Sequence, residues 1–408
     1  MMPYVYSPGQ ISSNKSKKKW LFALFSVFAI GILIAGGWMI FKSDEAVAPE
    51  EVAEIKVEAG DYSSVNAKLL FSGTVVPARA VENEARQADG SINYNQPLSR
   101  LSTFEPEQYD EWIVDMECPI TDDNLTYQEQ VANTVFNCRP EFLKPMSEYF
   151  TIMNLANNHV YDRGADKFPD MQKYVQDAGI QYLGNQDPSE EKDICEVMAI
   201  SVHLTKEGNE PADGTLPVAF CAWHYFEREP LEGEIDVINQ YAEIMPVVGL
   251  MQVGQEYQAR ADERQRSVSR QIIDGGAEFV IGNSPHWVQD SDVYKDKLIF
   301  YSTGNFIFDQ LDEETNRGAS IEVSMTVPYD ENIAKWLALG EKCETHYDDC
   351  LSNAKEQGLT KFTPGFTFGL VASTTGYREI TQKAPASVQS AVEERANWTQ
   401  TLQLLDQQ

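Results

Sequence analysis

The stretch Ile152-Met-Asn-Leu-Ala-Asn-Asn158-His159-Val-Tyr-Asp162-Arg-Gly164 constrains the fold of this chain more than any other. The apolar run Tyr149–Met153 reads as a buried strand. It stops at a polar knot of Asn, His and Asp, and Gly164 ends the turn. Phe168, Met171, Val175 and Ala178 then recur at helical spacing and are closed by Gly179. A strand that ends in Asn-His before a helix sets those side chains at the carboxyl edge of a sheet, where α/β folds build their sites. The competing interpretation is an Asn-rich loop that satisfies its own backbone.

The N-terminus sets a compartment. Trp20 to Phe41 carries no charge and as a helix would reach about 33 Å, enough to span a bilayer. Lys15, Lys17, Lys18 and Lys19 precede it, and no acid occurs before Asp44. The positive-inside bias therefore keeps residues 1–19 cytoplasmic and sends the rest outward. The rival is a cleaved signal peptide at Ala46-Val47-Ala48, where Pro49 is poorly placed for cleavage. We expect a single-pass plasma-membrane protein with the lipid bilayer as its first partner. The expected segments are a basic tail (1–19), an anchor (20–41), an acidic stalk (43–65), an α/β domain (66–380) and a helical or flexible C-terminal tail (381–408).

Residues 43–408 hold all 63 acidic residues against 27 basic ones, a formal charge of 27 − 63 = −36. That excess argues against nucleic-acid binding and would repel an anionic polymer except at local basic spots. Cys118, Cys138, Cys195, Cys221, Cys343 and Cys350 all lie in this part. An even count in an oxidising compartment suggests disulfides, and six cysteines allow 15 pairings. We expect nearest neighbours to pair.

Strand-like runs alternate with helical stretches from residue 67 onward. Strands are expected at 67–71, 112–116, 149–153, 197–204, 218–226, 246–253, 278–281, 298–302, 321–327 and 366–373. Helices are expected at 140–148, 166–178, 235–243 and 261–274. Mixed strands with interspersed helices suggest two sheets covered by helices in one α/β domain. Six strand ends carry turn-formers with Glu, Asn or His. They are Ser72-Gly-Thr74, Asp115-Met-Glu117, Asn157-Asn158-His159, Gln252-Val-Gly254-Gln-Glu256-Tyr257, Gly282-Asn283-Ser284-Pro285-His286 and Tyr301-Ser302-Thr303-Gly304-Asn305-Phe306. They can converge on one cleft.

In the order and spacing of these motifs, from about residue 67 to 310, the chain resembles the CapA family, the capsule and poly-γ-glutamate synthesis proteins of bacterial cell surfaces. The resemblance implies a four-layer α/β/β/α sandwich related to the calcineurin-like metallophosphatases. It also implies a role in making, anchoring or exporting a surface polymer, with that polymer and membrane synthase subunits as partners. The family's first motif reads Gly-Asp and then Arg; here Gly73 and Arg79 remain but Thr74 replaces the acid. Glu117 is kept, as are Asn158 and His159. A family His is replaced by Gln252, before Gly254, Glu256 and Tyr257. His-Pro-His has become Ser284-Pro285-His286.

By that resemblance Glu117, Asn158 and His286 are the remnant metal ligands, and His159, oriented by Asp162, is the general acid if catalysis survives. Arg79 follows the first turn and is read as an anion contact in the cleft, with Asn157 and Asn305 as further substrate-binding candidates. A two-metal hydrolase needs a bridging carboxylate and several N/O ligands per ion. Thr, Gln and Ser are weak neutral ligands, suited at most to one hard cation. We therefore expect a degenerate site that holds one divalent ion (Mn, Mg, Ca or Zn) or none, and a binding or accessory role. The alternatives are a metal-dependent phosphoesterase or amide hydrolase acting outside the membrane, and a structural ectodomain without catalysis. Arg260, Arg264, Arg266 and Arg270 form the most basic patch, read as a solvated helix paired with Glu256, Asp262 and Glu263 or, less simply, as a polymer contact.

Overall fold

The computed structural model describes residues 62–206, 212–226, 233–343 and 350–407. The expected tail, anchor and all but the last residues of the stalk lie outside these. Among the described residues no helix is long and apolar enough to cross a membrane.

The described strands are β1 (Ser64–Val75), β2 (Glu111–Met116), β3 (Ile152–Asn154), β4 (Gln181–Leu183), β5 (Cys195–Thr205), β6 (Ala212–His224) and β7 (Val247–Gln252). They continue as β8 (Phe279–Asn283), β9 (Ser291–Tyr294), β10 (Lys297–Phe300), β11 (Asn305–Ile307), β12 (Arg317–Pro328), β13 (Gly365–Thr375) and β14 (Thr381–Lys383). Hydrogen bonds link them in the order β14-β13-β12-β1-β5-β6-β7-β8-β10-β9. A second branch, β2-β3-β4, also leaves from β1, and β11 pairs with β1 as well. The two expected sheets are thus two branches of one mixed network that share β1.

The sharing follows from the length of β1. Its first residues, Ser64 to Asn66, run antiparallel to β5. From Leu69 on it runs parallel to β2. The register slips between Phe71 and Thr74, which sets Thr74 opposite Asp115. Every residue from Leu70 to Val75 is buried, as expected for a strand covered on both faces.

Each branch has its own core. Phe71, Phe220, Trp223, Phe279 and Trp336 belong to one. Phe104, Trp112, Phe150, Phe168 and Phe306 belong to the other. In the second, Trp112 meets Phe150 edge-on with ring centres 5.3 Å apart. Burial of rings this large supplies several kcal/mol each relative to truncation, about 3–5 by analogy with core substitutions.

Several expected boundaries move. β3 starts at Ile152, not Tyr149, because the amides of Tyr149 and Phe150 both donate to the Met146 carbonyl and close a turn there. The expected helix 140–148 splits into a 3-10 turn (Pro140–Phe142) and one α-turn (Leu143–Met146). The helices Tyr127–Asn133 and Glu331–Cys343 were not foreseen, and Ala386–Ala396 falls in the C-terminal segment expected to be helical or flexible. Residues 381–405 pack on the body: β14 pairs with β13, and Trp398 is buried against Phe300. The disulfides are Cys118–Cys138, Cys195–Cys221 and Cys343–Cys350, the expected nearest neighbours.

Candidate functional site

Parallel β1, β2 and β3 on one branch, and β7 and β8 on the other, aim their carboxyl ends at one place. Two backbones meet closely there. A Cβ on Gly73 would lie 1.8 Å from the Gly304 carbonyl oxygen, so only glycine fits.

The floor is a chain of hydrogen bonds. Thr74 donates its hydroxyl to Glu117 Oε2 at 2.9 Å and accepts from Asn283 Nδ2 at 2.7 Å. Glu117 is 1% exposed, and Oε1 accepts no hydrogen bond from the described residues. Asp115, beside it, accepts from Asn154 Nδ2. Loss of water pushes the Asp115 carboxyl up to about 7, and the Glu117 charge adds to this, while Asn154, Asn283 and Gln252 pull the other way. Gln252 thus lies near Asp115, yet neither of its amide atoms completes a hydrogen bond with the protein. It is 1% exposed.

Above the floor, basic groups alternate with aromatic rings. Tyr257 stacks on His286 (5.8 Å) and His286 on Phe308 (5.3 Å). Arg79 lies over Phe308 (5.3 Å) and over Phe136 (4.6 Å). Phe136 meets the His159 ring at 4.3 Å. Each basic group has its own acid. Arg79 Nε donates to Asp309 at 3.1 Å. His159 Nδ1 donates to Asp162 Oδ2 at 2.9 Å, since a carboxylate only accepts, which leaves Nε2 free. His286 Nδ1 donates to Asn305 Oδ1 at 2.8 Å, and its Nε2 faces Glu256 Oε1 at 3.6 Å.

Burial alone would lower the His286 pKa. Glu256, the Glu117 charge and Asn305 together outweigh it and raise the value. The same contact with His286, aided by the charges of His286 and His159, holds the Glu256 carboxyl low against burial.

The expected site residues divide into two groups. Glu117, His159, Asp162, His286, Arg79 and Asn305 gather in this cleft. Asn158 is half-buried beside His159 with no side-chain hydrogen bond among the described residues. Asn157 is fully buried and is committed to the loop. Its Oδ1 accepts from the amides of His159 (3.0 Å) and Val160 (3.1 Å), and its Nδ2 donates to the Met116 carbonyl (2.9 Å). It thereby fixes His159. Phe136, Phe308, Asp309 and Asn283 were not foreseen as site residues. Phe308-Asp309 lies just past Gly304-Asn305-Phe306, with Ile307 between, and that nearness was the signal for their place at the cleft. The arginine patch pairs differently from expectation. Arg266 reaches Asp290 (2.6 Å) and Arg270 reaches Asp292 (3.5 Å), whereas Asp262 caps its own helix and Glu256 faces His286.

A dinuclear transition-metal centre does not fit these residues. Among the described residues no group of three or more His, Cys, Asp or Glu is placed to hold a metal ion. The Thr74 hydroxyl occupies the acid's position and spends its proton on Glu117. His286 has both ring nitrogens engaged by Asn305 and Glu256. Gln252 and Ser284 bring neutral oxygens where the resemblance leads one to expect imidazoles.

Comparison with known proteins gives the following. The profile of the bacterial capsule synthesis protein PGA_cap matches residues 68–310. The capsule biosynthesis protein CapA of Bacillus anthracis is 26% identical over 324 residues, 74% of this chain and 71% of that one. The PGA biosynthesis protein CapA of Bacillus subtilis (strain 168) is 28% identical over 271 residues, 64% of this chain and 67% of that one. Among solved structures, a protein provisionally designated a 5′-nucleotidase from Staphylococcus aureus aligns at 10% identity and TM-score 0.38, covering 81% of this chain and 59% of its own. These structural likenesses are too distant to bear on the chemistry of the cleft.

Proposed function

The chain belongs to the bacterial capsule synthesis protein family, and from that membership we propose a division of labour in which it handles a surface polymer without metal-dependent chemistry of its own. Family membership and the two CapA relatives give a role in capsule biosynthesis. The finer reading is an accessory protein, anchored by residues 20–41 and facing outward, that holds a polymer of the poly-γ-glutamate type for partner synthase subunits. The carrying observation is the Thr74–Glu117 hydrogen bond. By the resemblance a neutral hydroxyl stands where the family has an acid, and the nearby amides are spent inside the protein, Asn154 on Asp115 and Asn283 on Thr74. The two cores, one per branch, support the layered α/β/β/α reading of the fold.

One observation favours a hydrolase. The His159–Asp162 pair leaves Nε2 free at the cleft, the arrangement of an oriented general acid. The test is surface polymer in cells that lack this protein. Under the accessory reading, both the parent and His159→Ala restore polymer, and loss of restoration with His159→Ala alone points to the hydrolase.

A further inference from the structure

A cavity separate from the cleft opens between the helix Phe168–Asp177 and the loop that follows β4. Its volume is about 370 Å³, within the range of about 300–1,000 Å³ usual for small-molecule sites. Tyr161 lines it and belongs to the loop that carries His159 and Asp162. One loop therefore serves both the cleft and the cavity.

The lining combines flat apolar surface with groups that hydrogen-bond. Tyr161, Phe168 and Tyr182 supply the rings, and Tyr161 meets Phe168 edge-on with centres 5.4 Å apart. Beside them runs a polar row. The Tyr161 hydroxyl donates to Asn185 Oδ1, and Asn185 Nδ2 donates to Asp193 Oδ1 at 3.1 Å. Asp193 is held in turn by the amides of Ser189 (2.7 Å) and Glu190 (2.9 Å). This row is fixed before a ligand arrives, which lowers the cost of binding. Gln172 differs. It lines the cavity half-buried, and its side chain makes no hydrogen bond among the described residues. A donor and an acceptor thus stay open to whatever enters.

Charge and polarity select the ligand. Asp193 and Glu196 line the cavity against the single Lys192, so a polyanion is repelled. An acyl chain would strip water from Gln172, Asn185 and Asp193 and return no hydrogen bond. A divalent ion finds no group of three ligating side chains among the described residues. A pyranose ring meets both demands at once. Its C–H face rests on aromatic surface, and its hydroxyls, each a donor and an acceptor, pair with the open amide and with a carboxylate.

We propose that this cavity binds one unit of a neutral saccharide, with an aromatic side chain under the sugar ring and the Gln172 amide on its hydroxyls. The site goes beyond the polymer role proposed above and does not rest on it, because its ligand is uncharged.

The full chain, in a detergent without a sugar headgroup, is titrated by calorimetry with two neutral probes, maltotriose and the trimer of N-acetylglucosamine. A γ-linked glutamate pentamer is the charged competitor. At least one neutral probe binds with a Kd of about 1 mM or tighter, and the pentamer does not displace it. Gln172→Ala weakens that binding about tenfold, the loss of one hydrogen-bonding group. Ala165→Trp, at an exposed position on the cavity's edge, blocks entry and abolishes binding. Neither position holds up the core, so both variants keep the parent's urea midpoint. Absence of binding by both neutral probes overturns the proposal. So does parental affinity in both variants, which would place the sugar elsewhere, and so does displacement by the pentamer, which would show that charge does not select the ligand. The cell-surface polymer assay is untouched by any of these results.

Discussion

Thr74 and Glu117 are joined by a 2.9 Å hydrogen bond in which the hydroxyl is the donor. Thr74 in turn accepts from Asn283 at 2.7 Å. One small neutral side chain therefore ties β1, the segment after β2, and β8 together on the cleft floor. Thr74→Val keeps the shape and removes both bonds, leaving Glu117 without its one donor. We expect a loss of about 2 kcal/mol in urea unfolding. No change would mean that the floor does not depend on this bond.

Restoring the family's ligands is the complementary experiment. Thr74→Asp, Gln252→His and Ser284→His together return a carboxylate and two imidazoles to strand ends that already face one another. The triple variant is expected to retain Mn²⁺ or Zn²⁺ through dialysis where the parent does not. Failure of the variant to gain metal would show that more than these three positions has diverged.

Asn157 is predicted to act on stability. Asn157→Ala deletes three hydrogen bonds, two of them fully buried, and leaves two amides and a carbonyl unmatched. The expected cost is about 2–4 kcal/mol, seen as a lower urea midpoint. A variant of parental stability that binds ligand poorly would instead assign Asn157 a direct ligand contact.

Glu379 supplies a pH dependence. Burial, with the charges of Glu84 and Asp309, pushes its carboxyl up to about 7, against the opposing pull of Arg378. Ionised Glu379 is thus disfavoured in the folded state. The penalty is absent below the ordinary value of 4.5, grows as pH rises, and is complete above about 7. Glu379→Gln removes it. The variant should melt at a higher temperature than the parent at pH 8 and at the same temperature at pH 4. A gap that widens toward acid would reverse the sign and refute the assignment.

Long apolar runs such as Val247–Gln252 were legible in the sequence because strands buried on both faces read as continuous hydrophobic stretches. β4 and β11, three residues each, carry no period that a sequence window can detect. The site shows the same contrast. Glu117, His159 and His286 sit in motifs whose order and spacing carried a family resemblance. Arg79 and Asp309 are 230 residues apart, and nothing local in either stretch announces the pair. The alternation of Phe136, Arg79 and Phe308 exists only once β1 and β11 are side by side. Asn157 misled for a related reason. A turn-capping Asn and a ligand-binding Asn look identical in sequence, and burial alone separates them.

Metal content decides the account. The full chain, purified with disulfides intact, would be incubated with Mn, Zn, Mg and Ca, dialysed, and measured by elemental mass spectrometry beside Glu117→Ala and His286→Ala. Well under one ion per chain in the parent is the predicted result, with no difference among the three proteins. One or two ions in the parent, lost in both variants, would contradict it. Thr74, Gln252 and Ser284 would then be working ligands, and the cleft that of a metal-dependent enzyme.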